Sequence, residues 1–258
     1  MDSSWFPKPV YKRVRWLAIF FITGSLVYAF YYPVGWLYTL SFIVIWLLFS
    51  IICSFNIQSG AYIKTINAGT DKINQIYLTF DDGPVSNTHE ILEILDRYKV
   101  KASFFVKGEN AKENEEILKK IRESGHCIGN HSFSHKSWFP ILPVKKIREE
   151  LEKTQTVLSQ ITGAAPQFFR PPFGVTNPLI AAALKSIKLK TIGWTIRSLD
   201  TVIKDHNKVI SRVTRQLKPG CIVLLHDTTP EIGRILEAVL KTCKESGLKP
   251  VSLHKLEF

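Results

Sequence analysis

A long run without charged side chains constrains the fold of this chain most. No Asp, Glu, Lys or Arg occurs in residues 16–63. One α-helix of that length would extend about 70 Å at about 1.5 Å per residue, far beyond the roughly 30 Å hydrocarbon core of a bilayer. Pro33 and Gly35 interrupt the run, so it predicts a hairpin of two membrane-spanning helices, residues 16–32 and 36–55. Aromatic side chains near the ends of these segments are typical of membrane interfaces: Trp16, Tyr31, Tyr32, Trp36 and Tyr38.

Other interpretations of the apolar run make different predictions. A signal peptide has an apolar core of about 7–15 residues that ends at a small-residue cleavage site, and this run shows neither feature. A hairpin buried inside a soluble protein is the second alternative. The preferred interpretation is a membrane protein, most simply a multi-pass one, with membrane lipid as a partner.

The basic residues before the first span bear on orientation. Lys8, Lys12, Arg13 and Arg15 favour a cytoplasmic N-terminus. If both spans cross, the rest of the chain returns to that side, whereas a single crossing would place it outside. The expected organisation is a basic segment at residues 1–15, two transmembrane helices at 16–56, a tether at 57–74 and a catalytic domain at 75–258.

The domain after the tether alternates between short apolar runs and amphipathic segments. Residues 89–98 and 144–161 place apolar side chains three and four positions apart, which predicts helices that pack on a sheet. Strands that alternate with helices indicate a parallel α/β sheet or a closed barrel. The seven predicted strands are residues 76–80, 102–106, 127–130, 168–170, 190–196, 221–226 and 250–253.

Charge and cysteine content narrow the function classes. The net charge of +12 suits an anionic membrane surface or an anionic glycan. No nucleic-acid-binding motif or arginine-rich arm is present, so nucleic acid is not an expected partner. No protein partner can be deduced. The four cysteines form no C-x-x-C pair and predict small buried side chains rather than a disulfide framework or a zinc knuckle.

Two motifs suggest a metal site. TFDDGP at residues 79–84 places Asp81 and Asp82 at the end of the first predicted strand, where a simple turn is the alternative. His131 and His135 are four residues apart and could share one side of a helical turn. With Asp82 they form a two-histidine, one-carboxylate set that leaves positions open for water and substrate. Asp81 would then remain free as a base.

Three further residues follow other strands. Arg170, in RPPFG at residues 170–174, could hold Asp81 ionised, and the Phe173 backbone N–H could face a developing oxyanion. His226 ends the sixth predicted strand and is a plausible general acid. Active sites of parallel α/β barrels form at the carboxyl ends of the strands, so these motifs should converge on one mouth.

The ordered motifs TFDDGP, HSFSH, RPPFG and LLHD resemble those of the NodB-like polysaccharide deacetylases over roughly residues 75–255. The resemblance implies a distorted (β/α)7 barrel, a divalent metal that is usually zinc, and hydrolysis of N-acetyl groups on sugars. It implies that Asp81 is the catalytic base. It also implies that Asp82, His131 and His135 are the metal ligands.

The resemblance assigns roles to the remaining motif residues as well. It implies that Arg170 orients the base, that Phe173 donates to the oxyanion through its backbone, and that His226 is the general acid. Leu224 resembles the leucine that lines the acetyl-methyl pocket. Tyrosine is frequent in this family where Phe173 stands here, and a backbone donor survives that change.

The fourth family motif departs most from the pattern. It usually has two aspartates followed by tryptophan, whereas WTIRSLDT at residues 194–201 keeps only the second, Asp200, which the resemblance implies can still partner His226. Arg197 and Thr201 replace the acid and the aromatic residue in the groove wall, which bears on the substrate more than on the chemistry. Trp194, at the start of the segment, is expected to contact substrate.

The expected function is a metal-dependent hydrolase that removes N-acetyl groups from an amino sugar in a glycan or a lipid-linked saccharide. A deformylase of a lipid-linked amino sugar and an O-acetyl esterase are alternatives, because the same site could run either reaction. Two non-enzyme alternatives are a glycan-binding pseudoenzyme and a membrane-interaction protein that uses the barrel only as a scaffold.

Overall fold

A computed structural model describes residues 10–256, so most of the basic segment 1–15 lies outside the described residues. A helical hairpin precedes a curled parallel sheet that is covered by helices. The α-helices are α1 Val10–Tyr31, α2 Gly35–Phe55, α3 Asn87–Arg97, α4 Gly108–Glu113, α5 Glu115–Glu123, α6 Val144–Thr162, α7 Pro178–Ala183, α8 His206–Thr214 and α9 Ile232–Glu245. The strands are β1 Thr65–Ile66, β2 Gln75–Asp81, β3 Ser103–Val106, β4 Cys127–Asn130, β5 Phe168–Phe169, β6 Lys190–Ile192, β7 Ile196–Arg197, β8 Ile222–His226 and β9 Lys249–Val251.

The hairpin of α1 and α2 presents mostly apolar side chains to its surroundings. Both helices are long and apolar enough to cross a membrane, and only 11% of each candidate span is buried. They are therefore compatible with a membrane anchor or a signal sequence. The helices approach closely at the turn, where a Cβ on Gly35 would lie 2.4 Å from the Cα of Ala29. Deeper in the hairpin, Thr39 Oγ1 donates a 3.0 Å hydrogen bond to Ser25 Oγ.

The segment 57–74, which the sequence suggested as a tether, packs against the domain. Ile57 is only 2% exposed and contributes to the inside of the barrel. Strand β1 pairs in parallel with β6, and Ala68 forms an antiparallel bridge with Cys221. Burial of these side chains and pairing of this backbone make the segment part of the fold rather than a free linker. Because β1 has only two residues, no periodicity could signal it.

The described strands form one curled sheet in the order β1-β6-β5-β4-β3-β2-β8-β7, and β9 pairs with the start of β2. All of these strand pairings are parallel. The predicted strand 190–196 is in fact two strands, β6 and β7. Gly193 N–H donates to Ile66 and Thr195 N–H donates to Ile222, so the chain changes neighbours from β1 to β8 at this point. The expected distorted barrel of parallel strands and helices is confirmed.

Alternation along β2 separates the two faces of the sheet. Ile76, Leu78 and Phe80 point outward into the apolar layer beneath the helices. Tyr77 points inward with an inner cluster that includes Phe105 and Leu224. Since side chains alternate between the faces of a strand, Asp81 at the end of β2 also points inside the barrel. The strand period therefore places this carboxylate in the mouth. The four cysteines are buried and unpaired, as predicted.

Candidate active site

Carboxyl ends of several strands meet at one mouth of the barrel. Strand β2 ends at Asp81, β8 ends at His226, and His131 follows β4 directly. A cavity of about 200 Å³ occupies this mouth. Two of the predicted site residues, Arg170 and Asp200, lie behind its wall as buried partners of the lining side chains. The predicted residues that line the cavity are Asp81, Asp82, His131, His135, Phe173, Trp194, Leu224 and His226.

Three side chains in the cavity have the geometry of a metal site. One potential ligand atom each from Asp82, His131 and His135 lies within 4.8 Å of the other two. The Nε2 atoms of His135 and His131 are 3.6 and 3.9 Å from Asp82 Oδ1. That oxygen is buried and accepts no hydrogen bond from the described residues, although Lys107 Nζ lies 3.8 Å away. A buried oxygen without a donor, faced by two imidazole nitrogens, fits a divalent cation.

The protonation of the two imidazoles agrees with this role. His131 Nδ1 is 2.8 Å from the carbonyl oxygen of Arg170. A carbonyl can only accept, so Nδ1 carries the hydrogen and the Nε2 lone pair faces Asp82. Burial lowers the pKa of His131 to about 4, and burial with the neighbouring His131 lowers the pKa of His135 to about 4. Both rings are therefore neutral at pH 7, as metal binding requires.

The HSFSH segment is a loop and not the helical turn that the spacing suggested. Ser132 and His135 have φ values of 65° and 49°, in the left-handed region that interrupts a right-handed helix. The loop still brings the imidazoles of His131 and His135 to a centroid distance of 4.7 Å. The expectation of a shared ion is thus compatible with the geometry, while the expected helical turn is wrong.

Glu150 and Asn130 hold this loop, and the sequence did not single out either residue. The Glu150 carboxylate accepts hydrogen bonds from the backbone N–H groups of Phe133 (3.1 Å) and Ser134 (2.9 Å). Asn130 Oδ1 accepts the Ser132 N–H at 2.9 Å. On a helical wheel Glu150 resembles a solvated residue of α6. Only the fold shows that it organises the loop that carries the two histidines.

A buried ion pair holds the candidate base. Arg170 is fully buried, and its Nη1 donates to Asp81 Oδ1 and to Thr79 Oγ1 at 2.7 Å each. Its Nη2 donates to the Gly193 carbonyl at 2.8 Å, and its guanidinium lies 4.2 Å from the ring centroid of Phe105. Burial raises the pKa of Asp81, and the guanidinium of Arg170 opposes that rise. One carboxylate oxygen is therefore engaged with Arg170, while Oδ2 lies 3.7 Å from Nε2 of His131.

A second carboxylate orients His226. Asp200 Oδ1 lies 2.7 Å from His226 Nδ1, and its Oδ2 accepts the backbone N–H of His226 at 2.8 Å. Ser198 and Thr229 donate hydroxyl hydrogen bonds to the same carboxylate at 2.7 and 3.0 Å. Burial lowers the pKa of His226, but the hydrogen bond and charge of Asp200 outweigh it and raise that pKa overall. Because Nδ1–H points to Asp200, Nε2 is left for the cavity.

Unusual backbone conformations concentrate at the mouth. Asp82, Ser132, His135, Phe173 and Leu199 all have positive φ without being glycine. Such residues cost about 1–3 kcal/mol each and cluster at active sites when the surrounding structure holds them. The ring of Phe173 is half-exposed and lies 4.7 Å from the ring of His135. The sharp turn at Phe173 thus fixes the wall of the cavity beside the candidate metal ligands.

Comparison with known proteins identifies the family of this chain. The family model described as "Polysaccharide deacetylase" matches residues 68–192. The peptidoglycan-N-acetylmuramic acid deacetylase PdaA of Bacillus subtilis is 31% identical over 198 residues, which are 74% of each chain. The peptidoglycan-N-acetylglucosamine deacetylase PgdA of Listeria monocytogenes is 34% identical over 186 residues. This chain spans only 38% of the length of that Listeria protein, and the match covers 70% of this chain.

A solved structure gives the same result for the fold. A CE4 family pseudoenzyme from Bacillus anthracis superposes with a TM-score of 0.69 at 30% identity, covering 75% of this chain and 68% of that one. The similarity to PdaA extends over most of both proteins. This chain therefore belongs to the NodB-like polysaccharide deacetylase family, the carbohydrate N-deacetylases that hydrolyse the carbon–nitrogen bond of an N-acetyl group.

Proposed function

We propose that this chain is a metal-dependent deacetylase that removes N-acetyl groups from an amino sugar of a peptidoglycan-type glycan or of its lipid-linked precursor. The observation that carries the proposal is the placement of the Asp82, His131 and His135 cluster in one cavity with Asp81 and His226. The names of PdaA and PgdA support an N-acetylated amino sugar as substrate.

The donor set fits a divalent ion, with zinc the preferred candidate. One carboxylate and two neutral imidazoles are the donor types of a catalytic zinc site, which keeps a position open for water. A divalent ion bound there supplies Lewis-acid activation of water and of the acyl carbonyl. Within the described residues, Asp82, His131 and His135 are the side chains that would hold it.

Asp81 and His226 are proposed to move the protons. Asp81 takes a proton from the attacking water through the oxygen that Arg170 leaves free. His226 donates the proton on Nε2 to the sugar nitrogen as the carbon–nitrogen bond breaks, because an amide anion is a very poor leaving group. Asp200 keeps the imidazole oriented through Nδ1. The products are acetate and the free amine.

Other lining residues are proposed to position the acyl group. The Phe173 backbone N–H donates to the oxygen that becomes negative during attack. Leu224 is 3% exposed on the inner face of β8 and forms the apolar wall for the acetyl methyl group. Trp194 lines the same cavity and flanks the sugar, with the Arg197 guanidinium 5.8 Å from its ring centroid.

The test of this function is hydrolysis itself. Purified full-length protein with zinc should release acetate from N-acetylated glycan fragments, and a chelator should stop the release until zinc is restored. Mass spectrometry of peptidoglycan fragments, chitooligosaccharides and lipid-linked sugars should show loss of acetyl mass. Loss of formyl mass would favour the deformylase, and release only from O-acetylated sugars would favour the esterase. Glycan binding without any hydrolysis would favour the pseudoenzyme, a class to which the Bacillus anthracis relative belongs.

Metal binding is expected to depend on the three candidate ligands. Wild-type protein should bind one zinc ion per chain, as measured by elemental analysis after gel filtration. His131→Ala should lower the zinc affinity at least about tenfold, because it removes one of three protein ligands. The exposed His89 provides a matched control, and His89→Ala should keep the wild-type stoichiometry. Equal zinc affinity in the two variants would refute this ligand set.

Both apolar helices are proposed to cross the membrane. The open end of the hairpin meets the domain: the Tyr11 N–H donates to the Ala61 carbonyl at 3.2 Å, and Ser54 accepts the Thr176 N–H at 2.9 Å. The start of α1 and the end of α2 therefore lie on the same side as the domain. Together with the basic residues before the first predicted span, this arrangement favours a cytoplasmic domain and a substrate on the inner leaflet.

Reporter fusions at the C-terminus measure this topology. A reporter that functions only in the cytoplasm should be active, and one that functions only after export should be silent. The reverse pair of results would eliminate the two-span arrangement and favour a single crossing with an external domain.

A further inference from the structure

An apolar groove lies between the hairpin and the catalytic mouth. Its volume is about 560 Å³, within the usual range of roughly 300–1,000 Å³ for ligand pockets. One wall is the end of α2 with Leu47, Ile51 and Phe55, and the other is the domain surface with Ile141 and Phe173. We call this cavity the hairpin groove.

The hairpin groove is continuous with the surface that would face lipid. Leu47, Ile51 and Phe55 are 54%, 53% and 72% exposed and belong to the second candidate membrane span. Hydrocarbon in a bilayer would contact these same side chains. A chain that leaves the bilayer along α2 can therefore enter the groove without crossing water.

The groove also lies directly beside the catalytic cavity. Phe173 lines both spaces, and its ring is 4.7 Å from the ring of His135. Ile141 lines the groove and is 77% exposed. Exposure of such apolar side chains between a membrane helix and an active site marks a surface that an apolar ligand would cover.

Hydrogen bonds hold the two walls together. The Thr176 N–H donates to Ser54 at the end of α2, and Tyr62 Oη donates to the Ser50 carbonyl at 3.0 Å. Both bonds lie beside the groove, which Ser50, Ser54 and Tyr62 help to line. The groove is therefore preformed, and a ligand would not have to open it.

We propose that the hairpin groove holds the hydrocarbon chain of a lipid-linked amino sugar while its sugar occupies the catalytic cavity. The proposal rests on the deacetylase function and narrows its substrate to the lipid-borne class. The occupant follows from what lies on either side of the groove: its α2 wall belongs to a candidate membrane span, and its domain wall shares Phe173 with the proposed sugar-hydrolysing site. A soluble polysaccharide would need only the catalytic cavity, and a bulk lipid would need only the apolar groove.

Photolabelling tests the occupant directly and needs no turnover. The full-length protein in phospholipid nanodiscs is exposed to N-acetylglucosamine linked to a hexadecyl chain with a diazirine near its middle. Labelled peptides should include Ile141 or Phe173 from the domain wall. A phosphatidylcholine with the same diazirine chain should label the hairpin but not these domain residues. Equal labelling by both probes, or labelling of the outer hairpin faces alone, would overturn the proposal.

Kinetics with matched variants provide a second test of the groove proposal. Ile141→Glu places a charge in the groove and should lower kcat/KM for the hexadecyl-linked sugar about tenfold, equivalent to the burial of about two methylene groups. Ser137→Trp, which fills the groove without charge, should act in the same direction. For the methyl glycoside of the same sugar, kcat/KM of both variants should stay within about twofold of the wild-type value. Val202→Glu, at a similarly exposed position outside the groove lining, should leave kcat/KM for both substrates unchanged.

The outcomes separate the two proposals. If both substrates are hydrolysed and Ile141→Glu has no selective effect, the groove does not bind the lipid chain, whereas the proposed deacetylase function stands. Absence of hydrolysis on every substrate, with selective labelling of the domain wall by the sugar-linked probe, would reject the deacetylase and keep a lipid-linked sugar as the ligand.

Discussion

Replacing Asp81 with asparagine is expected to lower kcat at least about 10²-fold, within the 10²–10⁴-fold range of positioned general bases. Asparagine keeps the size of the side chain and can still accept from Arg170, but it cannot take a proton from water. The zinc affinity should change little, because Asp81 is outside the proposed ligand set. The measurement is the single-turnover rate of acetate release at saturating zinc.

Asp227 provides the matched control. It is a second fully buried aspartate near the mouth, and burial raises its pKa to about 7. It does not line the catalytic cavity, and its backbone N–H donates to the Asp81 carbonyl. Asp227→Asn replaces a carboxyl that lies outside the catalytic cavity and should keep the single-turnover rate within about threefold. Near-wild-type turnover in a folded, zinc-loaded Asp81→Asn protein would remove Asp81 from its role as base.

Replacing Arg170 with methionine is expected to destabilise the fold by about 3–5 kcal/mol. The guanidinium is fully buried and donates to Asp81, Thr79 and the Gly193 carbonyl. Removal of one member of a buried ion pair leaves the other charge uncompensated in the interior. The free energy of unfolding in urea, followed by near-ultraviolet circular dichroism, measures the loss.

Two comparisons make the Arg170 result specific. The double variant Arg170→Met with Asp81→Asn removes both charges and should recover part of the lost stability, since no unpaired ion is left. Arg97→Met breaks a surface ion pair with Glu237, whose partners are 61% and 46% exposed, and should cost less than about 1 kcal/mol. If Arg170→Met lowers the free energy of unfolding no more than Arg97→Met does, the buried ion pair does not stabilise the barrel interior.

Much of the site could be predicted because its residues sit at strand ends. The period of two along β2 requires Asp81 to face the same side as the buried Tyr77. Because the strands run parallel, their carboxyl ends meet at one edge of the sheet. The pairing of Arg170 with Asp81 could therefore be anticipated from the residues, that of Asp200 with His226 was implied by the family resemblance, and both are present.

Loop conformation could not be predicted in the same way. A spacing of four between His131 and His135 suits a helical turn, but positive φ values at Ser132 and His135 form a different loop. The loop depends on the Glu150 carboxylate, which comes from a helix that is distant in sequence. Local spacing carries no information about such a partner, because the contact exists only after α6 has packed.

By itself, the sequence determined the elements whose causes are local: the charge-free run, the alternating strands and helices, and the order of the motifs. Only the tertiary structure decided that residues 57–74 pack on the barrel, that 190–196 splits where Gly193 changes partners, and that a groove lies between α2 and the domain beside the mouth. The physical reason is the range of the interactions. Periodicity and turn chemistry act between neighbours in the chain, whereas burial, strand pairing and the groove between Phe55 and Phe173 require segments that are far apart in sequence to meet.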